Sequence, residues 1–411
     1  MRIAIVGNFG LTGNQTMAFR ALPLAEALAG RGHLVRMVLP VRRAGDGAPV
    51  KCAGVDIRYA GRPVAGLLGY LWQVAVLAWL SIRWRPDVVY CFKPIAHSGT
   101  VLAIFQLLRR LGLFHGVIAL DTDDWEGDGG WNERQPFPDW LKRAVSWQER
   151  RSLRSADAVT AASLELVKLA STCGARKVAY VPNCLNEILP VTAEAGEPSR
   201  WPGGGTGPRV LVYTRFVEYR LERLLESFEA ILTHLPLTTF LVAGTGLREE
   251  EQELIHLIER RGLTSRVGVA GWVLPEEKPG LFGAADIALY LLDDNLLNRT
   301  KCPMKLLELT AAGVPVVADR VGQAAEYILD GKTGLLVSPG DVGAMGRAAV
   351  SLLSDSDSRL RMAEAARTEA SRRWTWEAWL PEVEGALGLT GAALDLAGPG
   401  VEGSGPREGQ A

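Results

Sequence analysis

The sequence predicts an α/β protein of two doubly wound domains facing each other across a cleft. Three observations carry that prediction. Short apolar runs alternate with helical patterns along most of the chain, the mark of parallel sheets covered on both faces. The alternation stops between Pro190 and Pro208, a stretch rich in Gly, Pro, Ser and Glu that reads as a linker, and then restarts. At 411 residues the chain is too long for one ordinary core and right for two. In open sheets of this kind ligands bind at the carboxyl ends of the strands, so the loops there are the candidate sites.

The first-half elements follow in order. Arg2 to Val6 is a short apolar strand. Phe19 to Arg31 is a helix with its apolar stripe at Leu22, Ala25, Leu28 and Ala29, stopped by Gly32. Leu34 to Leu39, Asp87 to Cys91, Val117 to Leu120 and Ala158 to Ala161 are strands, and Ser163 is the N-cap of the next helix. Val178 to Val181 runs into the turn signal Pro182-Asn183. In the second half, strands are expected at Val210 to Tyr213, Thr239 to Val242, Val267 to Ala270, Ile287 to Leu291, Val314 to Ala318 and Leu335 to Val337. Helices are expected at Leu221 to Leu232, Glu249 to Arg261, Met304 to Ala312 and from Val342 onward. The division is therefore 1–189, a linker at 190–208, 209–374, a helix at 375–388 crossing back to the first domain, and a tail at 389–411. The tail has Gly, Pro and Glu without periodicity and is expected to be disordered.

Composition excludes several functions. A net charge of -1 gives no basic footprint for nucleic acid. The five cysteines are scattered, with no CxxC pair or metal spacing, so a reducing cytoplasm is expected. The opening Met-Arg-Ile-Ala-Ile-Val-Gly enters a strand directly and lacks the shape of a signal peptide. Val64 to Ile82 is apolar and about 28 Å long as a helix. The strand pattern resuming at Asp87 favours a helix docked on its own sheet over a span. Its Trp residues and Arg83-Trp84-Arg85 leave peripheral membrane contact open, at the inner face of the plasma membrane.

Five constellations could carry chemistry. The stretch Arg299 to Val317 has a loop, Pro303-Met304-Lys305-Leu306, opening a short helix. A helix start beside a cation is an anion site, and Glu308 further in can bind ribose or sugar hydroxyls. Arg215 and Arg220 follow the first strand of the second domain, where planar guanidinium groups can clamp a diphosphate; pairing with Glu218 or Glu222 is the alternative. Gly244-Thr-Gly246 lets backbone approach a ligand, and Trp272 either holds a nucleobase or packs between domains. Gly7, Gly10 and Gly13 follow the first strand, but their spacing is not the dinucleotide fingerprint, and a plain tight turn would explain them. Asp121, Asp123 and Asp124, with Glu126, end a strand beneath a long aromatic loop. That suits base or hydroxyl-binding work, with a divalent cation or a solvated acidic turn as alternatives. His97 follows a strand end and could face the cleft, although a structural use is the more common one for a histidine.

These pieces resemble the retaining GT-B glycosyltransferases of glycosyltransferase family 4, over Met1 to about Leu387. The resemblance is carried by Pro23 to Leu39, Val181-Pro182-Asn183, Arg215 with Arg220, Glu308 to Val317, and the Gly322 to Gly334 pattern. It implies two Rossmann-like domains, with the acceptor on the first and a nucleotide-diphosphate sugar on the second. Arg215 and Arg220 would then be catalytic, holding the leaving diphosphate. Gly10, Gly13, Gly244, Gly246, Trp272, Thr300, Pro303, Met304, Lys305, Leu306 and Glu308 would line the donor. His97, Asp121 and Asp124 would lie on the acceptor side, with Asp123 positioning the acceptor. No metal or other cofactor is implied, and the acceptor would be a glycan or a lipid-linked one. The chain also departs from the family pattern. Thr300 stands where the first of two glutamates is usual, Arg220 where a lysine is usual, and Asp123-Asp124 where His-Asp is usual. A catalytically weak binding protein and a sugar-nucleotide epimerase of the same architecture are the rival readings.

Overall fold

The structure is a computed structural model that describes residues 1–12, 16–41, 52–61, 66–186, 201–202 and 207–389. The first sheet has seven strands: β1 (Arg2–Val6), β2 (Leu34–Leu39), β3 (Val55–Tyr59), β4 (Val88–Phe92), β5 (Val117–Thr122), β6 (Ala158–Ala161) and β7 (Val178–Tyr180). Their order across the sheet is β3-β2-β1-β4-β5-β6-β7, and each neighbouring pair is parallel. The second sheet has six: β8 (Arg209–Tyr213), β9 (Thr239–Ala243), β10 (Val267–Gly271), β11 (Ile287–Tyr290), β12 (Val316–Asp319) and β13 (Gly334–Val337). Their order is β10-β9-β8-β11-β12-β13, again parallel. In both sheets the strand order reverses beside the first strand, which fixes a crevice between β1 and β4 and another between β8 and β11.

Each face of the strands is buried. On β8, Val210 and Val212 pack into one apolar cluster while Leu211 and Tyr213 pack into another. The second of these clusters is continuous with the core of the first sheet. The strand β3 was not foreseen. Its Val-Asp-Ile-Arg-Tyr alternation puts charge on a sheet edge, where Arg36 and Arg58 pair with Asp56. The first helix begins earlier than expected, as a π turn at Met17–Ala21 that leads into Leu22–Gly30.

The π turn brings Arg20 into the core. Its guanidinium is fully buried, with all five N–H groups donating. Two reach the Asp121 carboxylate at 2.8 and 2.7 Å, and three reach Val181 O, Pro182 O and Asn183 Oδ1 at 2.8, 3.1 and 3.1 Å. Asp121 also accepts from Thr160 and Tyr90. The segment held this way then meets the second domain. The Asn183 side chain donates to Cys302 O, Tyr327 donates to Asn183 O, and Ser163 donates to Thr300 O. Tyr180 bonds Glu326, and Gln323 donates to Ala162 O.

The helix Trp376–Leu387 packs on the first domain. Thr375 caps it, Leu185 N–H donates to Trp374 O, and Lys177 donates to Gly385 O. Trp379 meets Tyr180 edge to face. Most of the segment 190–208 and residues 390–411 lie outside the described residues, as does Gly13.

Replacing Arg20 with Met would leave a buried carboxylate without its cation. A loss of about 3–5 kcal/mol in urea unfolding is expected. Asp121→Leu added to it should recover part of that loss; a single variant as stable as the parent would refute the role.

Candidate active site

The two crevices present different chemistry. On the first sheet, β4 ends at Phe92 and Lys93 follows in a left-handed conformation, φ 73°. That turn points its ammonium across the end of β5, 2.9 Å from Asp123, 3.0 Å from Asp124 and 2.7 Å from Glu126. Thr16 donates to the other Asp123 oxygen at 2.6 Å. Burial alone would push the Asp123 carboxyl up, but Lys93 and the Thr16 bond hold it below the usual range. Glu126 is pushed up, mainly by burial. Behind them the buried Glu149 accepts from the backbone N–H groups of Glu126 and Gly127 and so fixes the start of the aromatic loop. Burial pushes its carboxyl up to about 8. His97 lies in the first turn of the helix Ala96–Arg110. Its N–H donates to Asn8 in the loop after β1, and its ring packs on Tyr70 at 4.8 Å.

On the second sheet, Thr214 and Arg215 follow β8. The buried Glu218 folds back to accept from Thr214 Oγ1 and Arg215 N–H, both at 3.2 Å, and from Lys301 at 2.9 Å. Burial would raise the Glu218 carboxyl, yet Lys301 outweighs it and holds the group low. Lys305 is the second residue of the helix Met304–Ala311. Its ammonium donates to Thr214 O at 3.0 Å and lies 3.7 Å from the centre of the Tyr213 ring. Burial pushes the Lys305 ammonium down to about 8; Glu218 and Glu308 oppose that shift, while Arg215 and Lys278 add to it. The first-turn N–H groups at Met304 and Lys305 have no intrahelical partners, as at any helix start, and so are open to an anion. Gly244 has φ 137°, and a Cβ there would stand 1.9 Å from Thr214 O, so only glycine permits this packing. On the far side, Lys278 grips both Glu308 oxygens at 2.9 and 3.0 Å, and burial together with the Glu308 charge pushes the Tyr213 hydroxyl up.

The loop after β5 reaches across. Trp131 lies 5.4 Å from Lys301, and Arg134 donates to Val217 O at 3.4 Å. Gly129 adjoins Leu296, where a Cβ would come within 3.0 Å.

Three of the expected site residues are corrected by this geometry. Asp121 is completely buried under Arg20 and cannot meet an acceptor. Thr300 is completely buried as well, and its hydroxyl donates to Leu296 O and Leu297 O of its own helix. The Leu306 side chain is core, and its N–H donates to Pro303 O. Arg215, Pro303, Met304, Lys305 and Glu308 come together with Gly244. Arg215 and Arg220 are both exposed, and of the two it is Arg215 whose charge acts on Lys305. Gly246 donates its N–H to Glu251, Gly10 is buried in the first loop, and Trp272 is exposed beside Gly271, φ 67°. The sequence reading missed Lys93, Lys278 and Lys301, and had Glu218 only as a partner for the arginines, where it accepts instead from Thr214, Arg215 N–H and Lys301. Lys93-Pro-Ile-Ala-His97 was seen only for its histidine, although a lysine directly after a central strand is itself a signal. Among the described residues no group of metal-ligating side chains is placed to hold an ion, and all five cysteines are free thiols.

Comparison with known proteins gives this geometry a family. Residues 207–355 match the family described as glycosyl transferases group 1, and residues 16–184 match the glycosyl transferase 4-like domain. The chain is similar to glycogen synthase of Mycobacterium tuberculosis, 27% identical over 72% of this chain and 66% of that one. It is similar to a GDP-mannose-dependent phosphatidylinositol monomannoside mannosyltransferase of Mycolicibacterium smegmatis, 31% identical over 42% of this chain and 46% of that one. The matched stretch thus spans just under two thirds of the length of the first relative. In fold it is similar to sucrose-phosphate synthase of Thermosynechococcus elongatus, with TM-score 0.69, 18% identity, and 93% and 97% of the two chains covered. An Anabaena protein solved with UDP and glucose gives TM-score 0.63, 17% identity, and 94% and 99% coverage. Matches over both halves and neighbours over the whole fold define a class, the GT-B glycosyltransferases. The chain belongs to that class as a member of the family 4 type.

The low Lys305 value sets a pH dependence. A bound diphosphate favours the ammonium and raises its pKa, so binding takes up a proton above pH 8. Affinity for a nucleoside diphosphate should be flat below pH 8 and weaken above it, approaching about tenfold per pH unit. Calorimetry from pH 6.5 to 9.5 reads this, and Lys305→Met should flatten the curve.

Proposed function

We propose that the chain transfers a sugar, with retention at the anomeric carbon, from a nucleotide-diphosphate sugar to a glycan or lipid-linked acceptor. The observation that carries this reading is the convergence of Lys305, Arg215 and the helix start at Met304 on one point beside Gly244, with Glu308 facing it. Cations and aligned N–H groups suit a diphosphate, and a carboxylate suits the hydroxyls of a ribose or sugar. Cleavage of the sugar–phosphate bond leaves negative charge on the diphosphate, which Arg215, Lys305 and Arg220 would stabilise without a metal. The leaving phosphate oxygen would take the acceptor proton, and the acceptor would sit at the Asp123–Asp124–Glu126 end of the first sheet, where Lys93 fixes the carboxylates. The aromatic loop bridging to Lys301 and Val217 supports a closed cleft that keeps water from the donor. In this reading residues 1–189 are the acceptor domain and 209–374 the donor domain.

A lipid-linked acceptor is favoured by one helix. Gly66–Arg83 is the described helix long and apolar enough to cross a bilayer, and it rests on the first sheet through Gln73, Val74, Leu77 and Ser81. Its outer side exposes Leu67, Leu68, Leu71, Trp72, Trp79 and Ile82, with Arg83 beside Trp79. Such a face fits peripheral contact with an anionic bilayer at the inner side of the plasma membrane of a cytoplasmic enzyme.

The test is a panel of nucleotide sugars, with nucleoside diphosphate release followed with and without membrane extract. Release that depends on the extract is expected. Arg215→Ala and Lys305→Met should each lower kcat by about 10²–10³. No binding of any donor would sink the reading, and binding without turnover on any acceptor would favour a catalytically weak binding protein. Vesicles containing anionic lipid should retain the protein and lose it on Trp72→Ser/Trp79→Ser; equal, negligible retention of both would remove the membrane contact.

A further inference from the structure

The Glu308 carboxylate is the hydroxyl-binding group of the proposed donor site, and both its oxygens are engaged by Lys278. A ribose diol that takes both Glu308 oxygens competes with the Lys278 ammonium for them and displaces it where it wins. That ammonium is mostly buried, with 14% of its side chain exposed. Left without an acceptor in such a place, an ammonium is costly. The displaced group must find a new oxygen within the reach of its stem.

The location of Lys278 says which oxygen. It opens the helix Lys278–Gly283, directly after the short turn Pro275–Glu277 and six residues beyond Trp272. Glu277 accepts from Leu274 N–H at 2.7 Å and fixes that turn. The same loop leaves β10 at Gly271, on the flank of the crevice away from Lys305 and Arg215. The diphosphate belongs with Lys305 and Arg215, so the base belongs toward Trp272; Lys278, on that loop, reaches back to the Tyr213 ring that Lys305 also faces, at 5.8 and 3.7 Å. A lysine is a donor only, with no acceptor to offer. Guanine and uracil present carbonyl oxygens where adenine presents an amino group.

We infer that Lys278 is a specificity-determining residue: it yields Glu308 to the ribose of the entering nucleotide and then bonds a carbonyl oxygen of the base. Uracil and guanine nucleotides are thereby preferred to adenine ones. This rests on the donor-site reading above and adds to it a chemical class of donor. Glu308 and Lys278 act as a pair: the carboxylate is released only when the ammonium has another oxygen to hold.

The experiment measures Kd for UDP, GDP and ADP with the full chain, its Lys278→Met variant and its Lys278→Arg variant. The parent should bind UDP or GDP at least tenfold more tightly than ADP. Lys278→Met should lose that ratio by weakening the carbonyl-bearing nucleotide, and Lys278→Arg should restore it in part. With turnover established, the loss should fall in KM more than in kcat. Equal weakening of all three nucleotides would assign Lys278 to the diphosphate and overturn the inference, as would an unchanged ratio or an ADP preference in the parent. Failure of the parent to bind any nucleotide would instead strike the donor-site reading itself.

Discussion

The structure depends on one buried guanidinium. Arg20 satisfies all five of its N–H groups, and the partners come from places far apart in sequence. Asp121 belongs to the central strand whose end carries the carboxylates of the first crevice. Val181, Pro182 and Asn183 form the segment that leaves the first sheet for the second domain. One side chain therefore ties the floor of one crevice to the crossover, and Asn183 passes that constraint on to Cys302, two residues before the helix that carries Lys305 and Glu308. A fork of fixed geometry is suited to this, because it positions several acceptors at once where a single ammonium would position fewer.

Electrostatic matching runs through both crevices. Lys93 faces three carboxylates, Lys301 faces Glu218, and Lys278 faces Glu308. Lys305 differs: it is held by a backbone carbonyl and an aromatic face, with no carboxylate within ion-pair distance among the described residues. Its unspent charge is what makes that point of the crevice attractive to an anion. Lys93 and Lys301, locked to their carboxylates, fix the walls, and Lys305 remains available.

The strands and most helices were legible because apolar runs and capping residues are local signals. The helix start at Pro303 to Lys305 and the glycine turn at Gly244 were legible for the same reason. The edge strand Val55–Tyr59 was not, since its alternating charges look like a loop until an edge position explains them. Thr300 shows a different limit. Its register suggested a ligand contact, but the direction of a side chain within a short helix depends on what packs behind it. Asp121 looked like its neighbours Asp123 and Asp124, and only the strand's alternation and a distant arginine separate a core residue from a site residue. The pairs Lys278–Glu308 and Lys301–Glu218 join residues 30 and 83 apart, so no window along the chain contains both members.

The closing helix has a consequence for how the protein is made. Trp376–Leu387 covers β6, β7 and the helix Leu22–Gly30, and Trp374 and Trp379 stack within that seam. These residues follow the whole of the second domain in the chain. During translation the amino-terminal sheet must wait, with one flank bare, while some two hundred further residues are added. That flank can be covered only once residues 376–387 have emerged from the ribosome, so the nascent protein carries an exposed apolar surface through the making of its whole second domain.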